Sequence, residues 1–190
     1  MVATLTDQAR HLAEQQLATA LPRRWSHVQA VGMKAEAVAS ILADKQDCDV
    51  LIAAAWLHDV GYAPGLATTG FHPLDGARWL RHVRFDDRVA ALVAHHSCAQ
   101  LEADERGLRS DLDAEFDREQ SAVADALWYV DMTTGPDGQD YEVTARLDEV
   151  RSRYGPDHIV TRFIDRAEPD IVAAVRRTED RLKAAGNQPM

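Results

Sequence analysis

The chain has 190 residues, of which 46% are apolar in the broad sense and 27% charged, enough for one domain with its own core. Its 31 acidic side chains outnumber 21 basic ones, and the resulting formal charge of −10 speaks against binding a nucleic-acid polymer through its phosphates. Two cysteines, Cys48 and Cys98, do not make a disulfide scaffold, and the longest apolar run, Val50 to Leu57, is far short of the ~20 residues of a membrane span.

The segment MVATLTDQAR lacks the basic and apolar regions of a secretory signal, so a cytoplasmic protein is expected. Thr6 or Asp7 caps a first predicted helix that runs to about Ala20. Pro22 opens a second, reaching about Asp44, with Val28, Val31, Ala35, Val38 and Leu42 as its apolar stripe. Asp47 or Asp49 caps a third that ends near Asp59; its middle, VLIAAAWL, is apolar all round and marks a central buried helix. Gly61, Pro64, Gly65 and Gly70 make a loop. Helices follow from Pro73 to about Val83 and from Asp86 or Asp87 to about His96. The charged stretch 103–118, with Gly107, predicts a mobile excursion. A helix over about 119–132, a turn at GPDG (135–138) and two polar helices, about 139–153 and 157–184, complete an all-α, single-domain reading of 1–190.

Helical position sorts the eight histidines. His58 continues the inward stripe Leu51, Ala54, Ala55, and Asp59 follows at the negative end of that helix, where a carboxylate is disfavoured unless a cation compensates. A capping Asp beside a core His is the plain alternative. His27, His72 and His96 also share faces with apolar residues, and four inward imidazoles from four helices are costly to bury separately. Imidazole and carboxylate ligands converging from a bundle hold Zn, Fe or Mn. On a helical wheel Asp131 lies about 80° from Val123, at the edge of the buried face, whereas Asp125 lies about 160° away and is expected to face solvent. His11, His82 and His158 read as surface residues, and Cys98 as a small buried hydrophobe.

The segments RRWSHVQAV (23–31), WLHDVGY (56–62), FHPLDGA (71–77), VAHHS (93–97) and YVDMTTGPDG (129–138) together resemble the HD-domain superfamily of metal-dependent phosphohydrolases, in its two-metal branch. The resemblance implies an HD-type helical bundle with its core over about 23–138 and C-terminal helices over 139–184. It implies two divalent transition metals (Fe, Mn, Co, Ni or Zn) held by His27, His58, Asp59, His72, His96 and Asp131. Asp59 is the implied bridging ligand, and His95 stays open as an alternative to its neighbour. His58 and Asp59 are the implied catalytic residues, and the implied reaction is attack by a metal-activated water on a phosphoester or phosphoanhydride of a small nucleotide or related metabolite. Arg24, Lys34, Tyr62 and His95 are candidate substrate contacts. Arg24, three residues before His27, and the His72–Gly76 spacing look like the symmetrical diadenosine tetraphosphate hydrolases. The HPLDGA segment and paired histidines are similar to HD-GYP phosphodiesterases, whose GYP motif is missing. A di-iron oxygenase or a non-catalytic nucleotide sensor with the same ligands are the alternatives. The expected partner is a small phosphorylated molecule, with no nucleic-acid polymer or membrane; a homo-oligomer is left open.

Overall fold

The computed structural model describes residues 3–186; the ends of the expected 1–190 domain, 1–2 and 187–190, lie outside the described residues. Among the described residues there are ten α-helices and no strand beyond one isolated bridge, Thr134 with Asp140. The helices are α1 (Leu5–Leu17), α2 (Pro22–Val38), α3 (Lys45–Leu57), α4 (His72–His82), α5 (Asp87–His95), α6 (Ala99–Arg106), α7 (Arg109–Glu115), α8 (Ala122–Met132), α9 (Val143–Tyr154) and α10 (Ile159–Ala184).

The apolar run places α3 at the centre, packed against α1, α2, α5 and α8. Every residue from Val50 to Leu57 is buried except Ile52, which is half-buried. Close approach of α2 requires glycine: a Cβ on Gly32 would sit 2.4 Å from Trp56 Cε2. The long α10 lies over α8 and carries α9 and α6; its buried residues Ile164, Ala167, Ile171, Ala174, Val175, Thr178 and Leu182 recur at helical spacing. No helix of the described residues is long and apolar enough to cross a membrane.

Several boundaries differ from expectation for local reasons. The cap of α1 is Thr4, reciprocally bonded with Asp7 in a capping box, rather than Thr6 or Asp7. Helix α2 stops at Val38, not near Asp44, because Asp44 is extended and caps α3 instead, its side chain accepting from Gln46 N at 2.7 Å. The excursion expected over 103–118 is built as part of α6 and α7. It is anchored by buried Leu112 and Phe116 and by ion pairs of Glu115 with Arg78 and of Glu105 with Arg162 and Arg166. Asp125 does not face solvent: α10 covers it, and its carboxylate takes Arg177 at 2.6 Å and Arg181 at 2.9 Å with the side chain 13% exposed.

Candidate metal centre

Each histidine of the central cluster stands where a helix ends, begins or meets the turn that positions it. His58 is the C-cap of α3 and His96 that of α5; His72 opens α4. The Gly135–Gly138 turn, closed by Gly138 N to Gly135 O at 3.0 Å, aims the Gly135 carbonyl at His27. Nδ1 of His27, His58 and His96 lies 2.9, 2.8 and 2.6 Å from the carbonyls of Gly135, Ala55 and Val93. A carbonyl only accepts, so each Nδ1 carries a proton, and in the neutral form of the ring the Nε2 lone pair faces inward, the tautomer a metal ligand needs.

The inward atoms form two groups, His27–His58–Asp131 and Asp59–His72–His96, the ligand atoms of each lying within 4.8 Å of one another. In the first, His27 Nε2 is 3.3 Å from both His58 Nε2 and Asp131 Oδ1, and His58 Nε2 is 3.6 Å from that oxygen. In the second, His72 Nε2 is 3.2 Å from His96 Nε2 and 3.3 Å from Asp59 Oδ1. Asp59 Oδ2 turns back toward the first group, 3.4 Å from His58 Nε2 and 3.7 Å from His27 Nε2. One carboxylate therefore faces both groups.

Burial and charge conflict here in a way that a cation resolves. Burial works to raise the pKa of Asp59, but Arg24 and His58 hold the carboxyl well below the usual range; Asp131 is likewise held down, against burial, by His27 and its neighbours. Burial opposes charge on His58 too, yet Asp59 and Asp131 lift it to about 9. His96, desolvated and crowded by His72 and His58, is pushed down to about 4. Two buried carboxylates thus stay anionic among convergent imidazole Nε2 atoms. Nitrogen and oxygen donors at these distances fit divalent transition metals.

The surroundings fix this geometry. Gly61 passes so close to the start of α4 that a Cβ there would lie 2.1 Å from the His72 carbonyl. Asp75 ties loop 68–70 to α4 by accepting from the backbone N–H groups of Thr68, Thr69 and Gly70. Between α5 and α6, Ser97 (φ 47°) and Cys98 (φ 63°) are consecutive non-glycine residues in the left-handed region. That turn brings Ser97 Oγ to donate to Asp131 Oδ2 at 2.5 Å.

A cavity of about 190 Å³ opens over both groups and is lined by Arg24, Tyr62, Ser97 and residues of α6, α9 and α10. Arg24 Nη1 donates to Asp59 Oδ2 at 2.7 Å, and its guanidinium lies 4.1 Å from the centre of the Tyr62 ring, which stacks on His72. The other two expected substrate contacts are elsewhere. Lys34 is buried outside the cavity, its ammonium bonded to Thr133 O at 3.0 Å and paired with Asp140 at 2.6 Å, where it ties α2 to the end of α8. His95 turns away from the cluster and bonds the Phe116 carbonyl through Nε2 at 2.7 Å, so His96 and not His95 stands among the ligand atoms.

Ser97, Arg146 and Arg153 line the cavity and were not among the residues expected. Ser97 sits next to the paired histidines but announces nothing as a residue type. The two arginines share a face of α9, a helix too polar for its sequence to show which side is turned inward.

Among known protein families, the HD domain matches residues 24–133, more than half of the chain and the whole stretch from His27 to Asp131. No curated protein and no solved structure matches it.

Proposed function

The chain belongs to the HD domain family, and from that premise we propose that it is a metal-dependent phosphohydrolase acting on a small phosphorylated substrate, a nucleotide or a related metabolite. The observation that carries the reading is the pair of three-residue ligand groups sharing Asp59 beneath one cavity. His27, His58 and Asp131 would hold one divalent metal and Asp59, His72 and His96 a second, with Asp59 common to both. Such metals, when bound, lower the pKa of a coordinated water and polarise the phosphoryl oxygens.

The protein's own contribution is positional and electrostatic. The carbonyls of Gly135, Ala55 and Val93 hold three rings in the ligating tautomer. The Ser97 hydroxyl holds Asp131, and Tyr62 buttresses His72 by stacking at 4.0 Å between ring centres. Arg24, fixed on Asp59, places a guanidinium on the cavity wall where phosphate oxygens would enter.

The test is to purify the protein without chelator, count its metals, and screen nucleotides for phosphate release under strict anaerobiosis with Mn²⁺, Co²⁺, Ni²⁺ or Fe²⁺. Phosphate release that chelator abolishes and that Asp59→Ala removes is the expected result. Turnover only with O₂ and a mixed-valent iron signal would replace this reading by an oxygenase, and nucleotide binding without turnover by a sensor.

A further inference from the structure

Helix α9 turns Arg146, Val150, Arg153 and Tyr154 to the cavity, a single helical face. Arg146 is only 6% exposed, yet its Nε–H has no partner. A buried donor left unpaired is costly and rare in native proteins. The Nη1 end of Arg146 pairs with Glu149, and the same carboxylate lies 3.4 Å from Arg153. Two guanidiniums therefore share one carboxylate, leaving surplus positive charge on the cavity wall of a chain whose net charge is −10. The other cavity arginines are engaged singly, Arg24 with Asp59 at 2.7 Å and Arg106 with Glu102 at 2.6 Å.

We propose that Arg146 and Arg153 form a subsite for a second phosphate, so that the substrate is a nucleotide carrying one phosphate at the His–Asp groups and another on α9. The inference rests on the phosphohydrolase reading and adds the substrate class. A guanidinium with a free Nε–H presents parallel donors that match two oxygens of a phosphate. Val150, Tyr154 and Phe163 beside the arginines give an apolar and aromatic wall that suits a nucleoside better than inorganic polyphosphate. Helix α9 lies beyond residue 133, outside the segment the HD domain matches, so this selectivity is an addition to the shared metal machinery.

The experiment titrates the metal-loaded protein calorimetrically with AMP, ADP and adenosine 3′,5′-bisphosphate. Phosphate release is followed in the same samples, and metal content is measured before and after. Wild type is expected to bind ADP or the 3′,5′-bisphosphate at least about tenfold tighter than AMP, and the better of the two shows whether the second phosphate is adjacent or across the ribose. Arg153→Gln, whose side chain is 30% exposed, and Arg146→Lys, which keeps charge but not the fork, should each lose most of that advantage relative to AMP with unchanged helicity and metal content. Equal affinity of wild type for AMP and both bisphosphorylated ligands, or an advantage that survives in both variants, overturns the subsite. Tight two-phosphate binding lost in the variants, with no phosphate release from any nucleotide, upholds the subsite and overturns the hydrolase reading instead.

Discussion

Individual side chains define the two ligand groups of the centre. His72 and His96 belong to one ligand group and His27, His58 and Asp131 to the other. On the two-metal reading, His72→Ala or His96→Ala should lower metal content from two per chain toward one, as measured by elemental analysis on folded protein, with a large loss of turnover. A count of one in wild type, unchanged in the variants, would rule out the second metal. Ser97→Ala removes the only hydroxyl bonded to Asp131 Oδ2 among the described residues. Losses of about 10–100-fold in metal affinity or activity are typical when such a supporting bond to a ligand is cut. The metal-free centre also has a signature in pH. Burial disfavours the His58 imidazolium, but Asp59 and Asp131 raise it to about 9, above its ordinary ~6.5. The stability this proton provides is complete below about pH 6.5 and is lost as pH rises through about 9. A metal held at this centre would take the same Nε2 lone pair and so gain as the proton leaves. The gap in thermal midpoint between metal-loaded and chelator-treated protein should widen from pH 6.5 to 9; a constant gap would mean that no proton is displaced.

Between elements, two contacts carry consequences that reach the centre or the core. Gly61 and the start of α4 are in backbone contact, and a Cβ at Gly61 would lie 2.1 Å from the His72 carbonyl. Gly61→Ala must therefore displace α4 and the His72 ring with it. The expected outcome is weakened binding of one metal and reduced turnover, with destabilisation of about 1–3 kcal/mol by denaturant unfolding. The second contact joins α8 to α10 through Asp125 with Arg177 and Arg181. Asp125→Ala should cost about 1–2 kcal/mol, between the values for exposed and buried ion pairs. Burial works to raise the Asp125 pKa, but the two arginines hold it below the ordinary value. Its contribution is therefore present above about pH 4 and lost as pH falls through the lower folded value. Wild type and variant should differ in stability at neutral pH and converge in acid.

For the molecule as a whole, the HD stretch shares its core with a helix that follows it, α10 packing on α8. Residues 126–130 of α8 are all buried, and α10 is among the helices packed on α8. Burial of Ile164, Ile171, Val175 and Leu182 of α10, at about 1.5–3 kcal/mol each, is comparable in sum with the ~5–15 kcal/mol net stability of a domain. A chain cut after residue 141 should lose cooperative thermal unfolding and expose apolar surface to a hydrophobic dye. A sharp transition in that fragment would show that the chain up to residue 141 folds without α9 and α10.

The sequence by itself determined the helical character and the buried central helix, because hydrophobic periodicity and the Val50–Leu57 run are local properties. It also singled out His27, His58, His72, His96 and Asp131, because each lies on or beside an apolar stripe where an unpaired polar group is expensive, and Asp59, because it follows His58 at the negative end of a helix; the family resemblance joined them into one ligand set. Other features were decided only by tertiary structure. The wheel reading of Asp125 failed because a stripe describes one layer of packing, and the outer face of α8 meets a second layer that local periodicity cannot announce. Most of the stretch 103–118 became helix, in α6 and α7, with its charges paired to the distant Arg78, Arg162 and Arg166. Lys34 turned inward because Thr133 and Asp140, about a hundred residues away, satisfy its ammonium. Arg146 and Arg153 became part of the cavity through the placement of α9, an amphiphile too weak for its sequence to choose a face. Burial and long-range charge pairing depend on contacts between segments far apart in the chain, and only the folded arrangement supplies them.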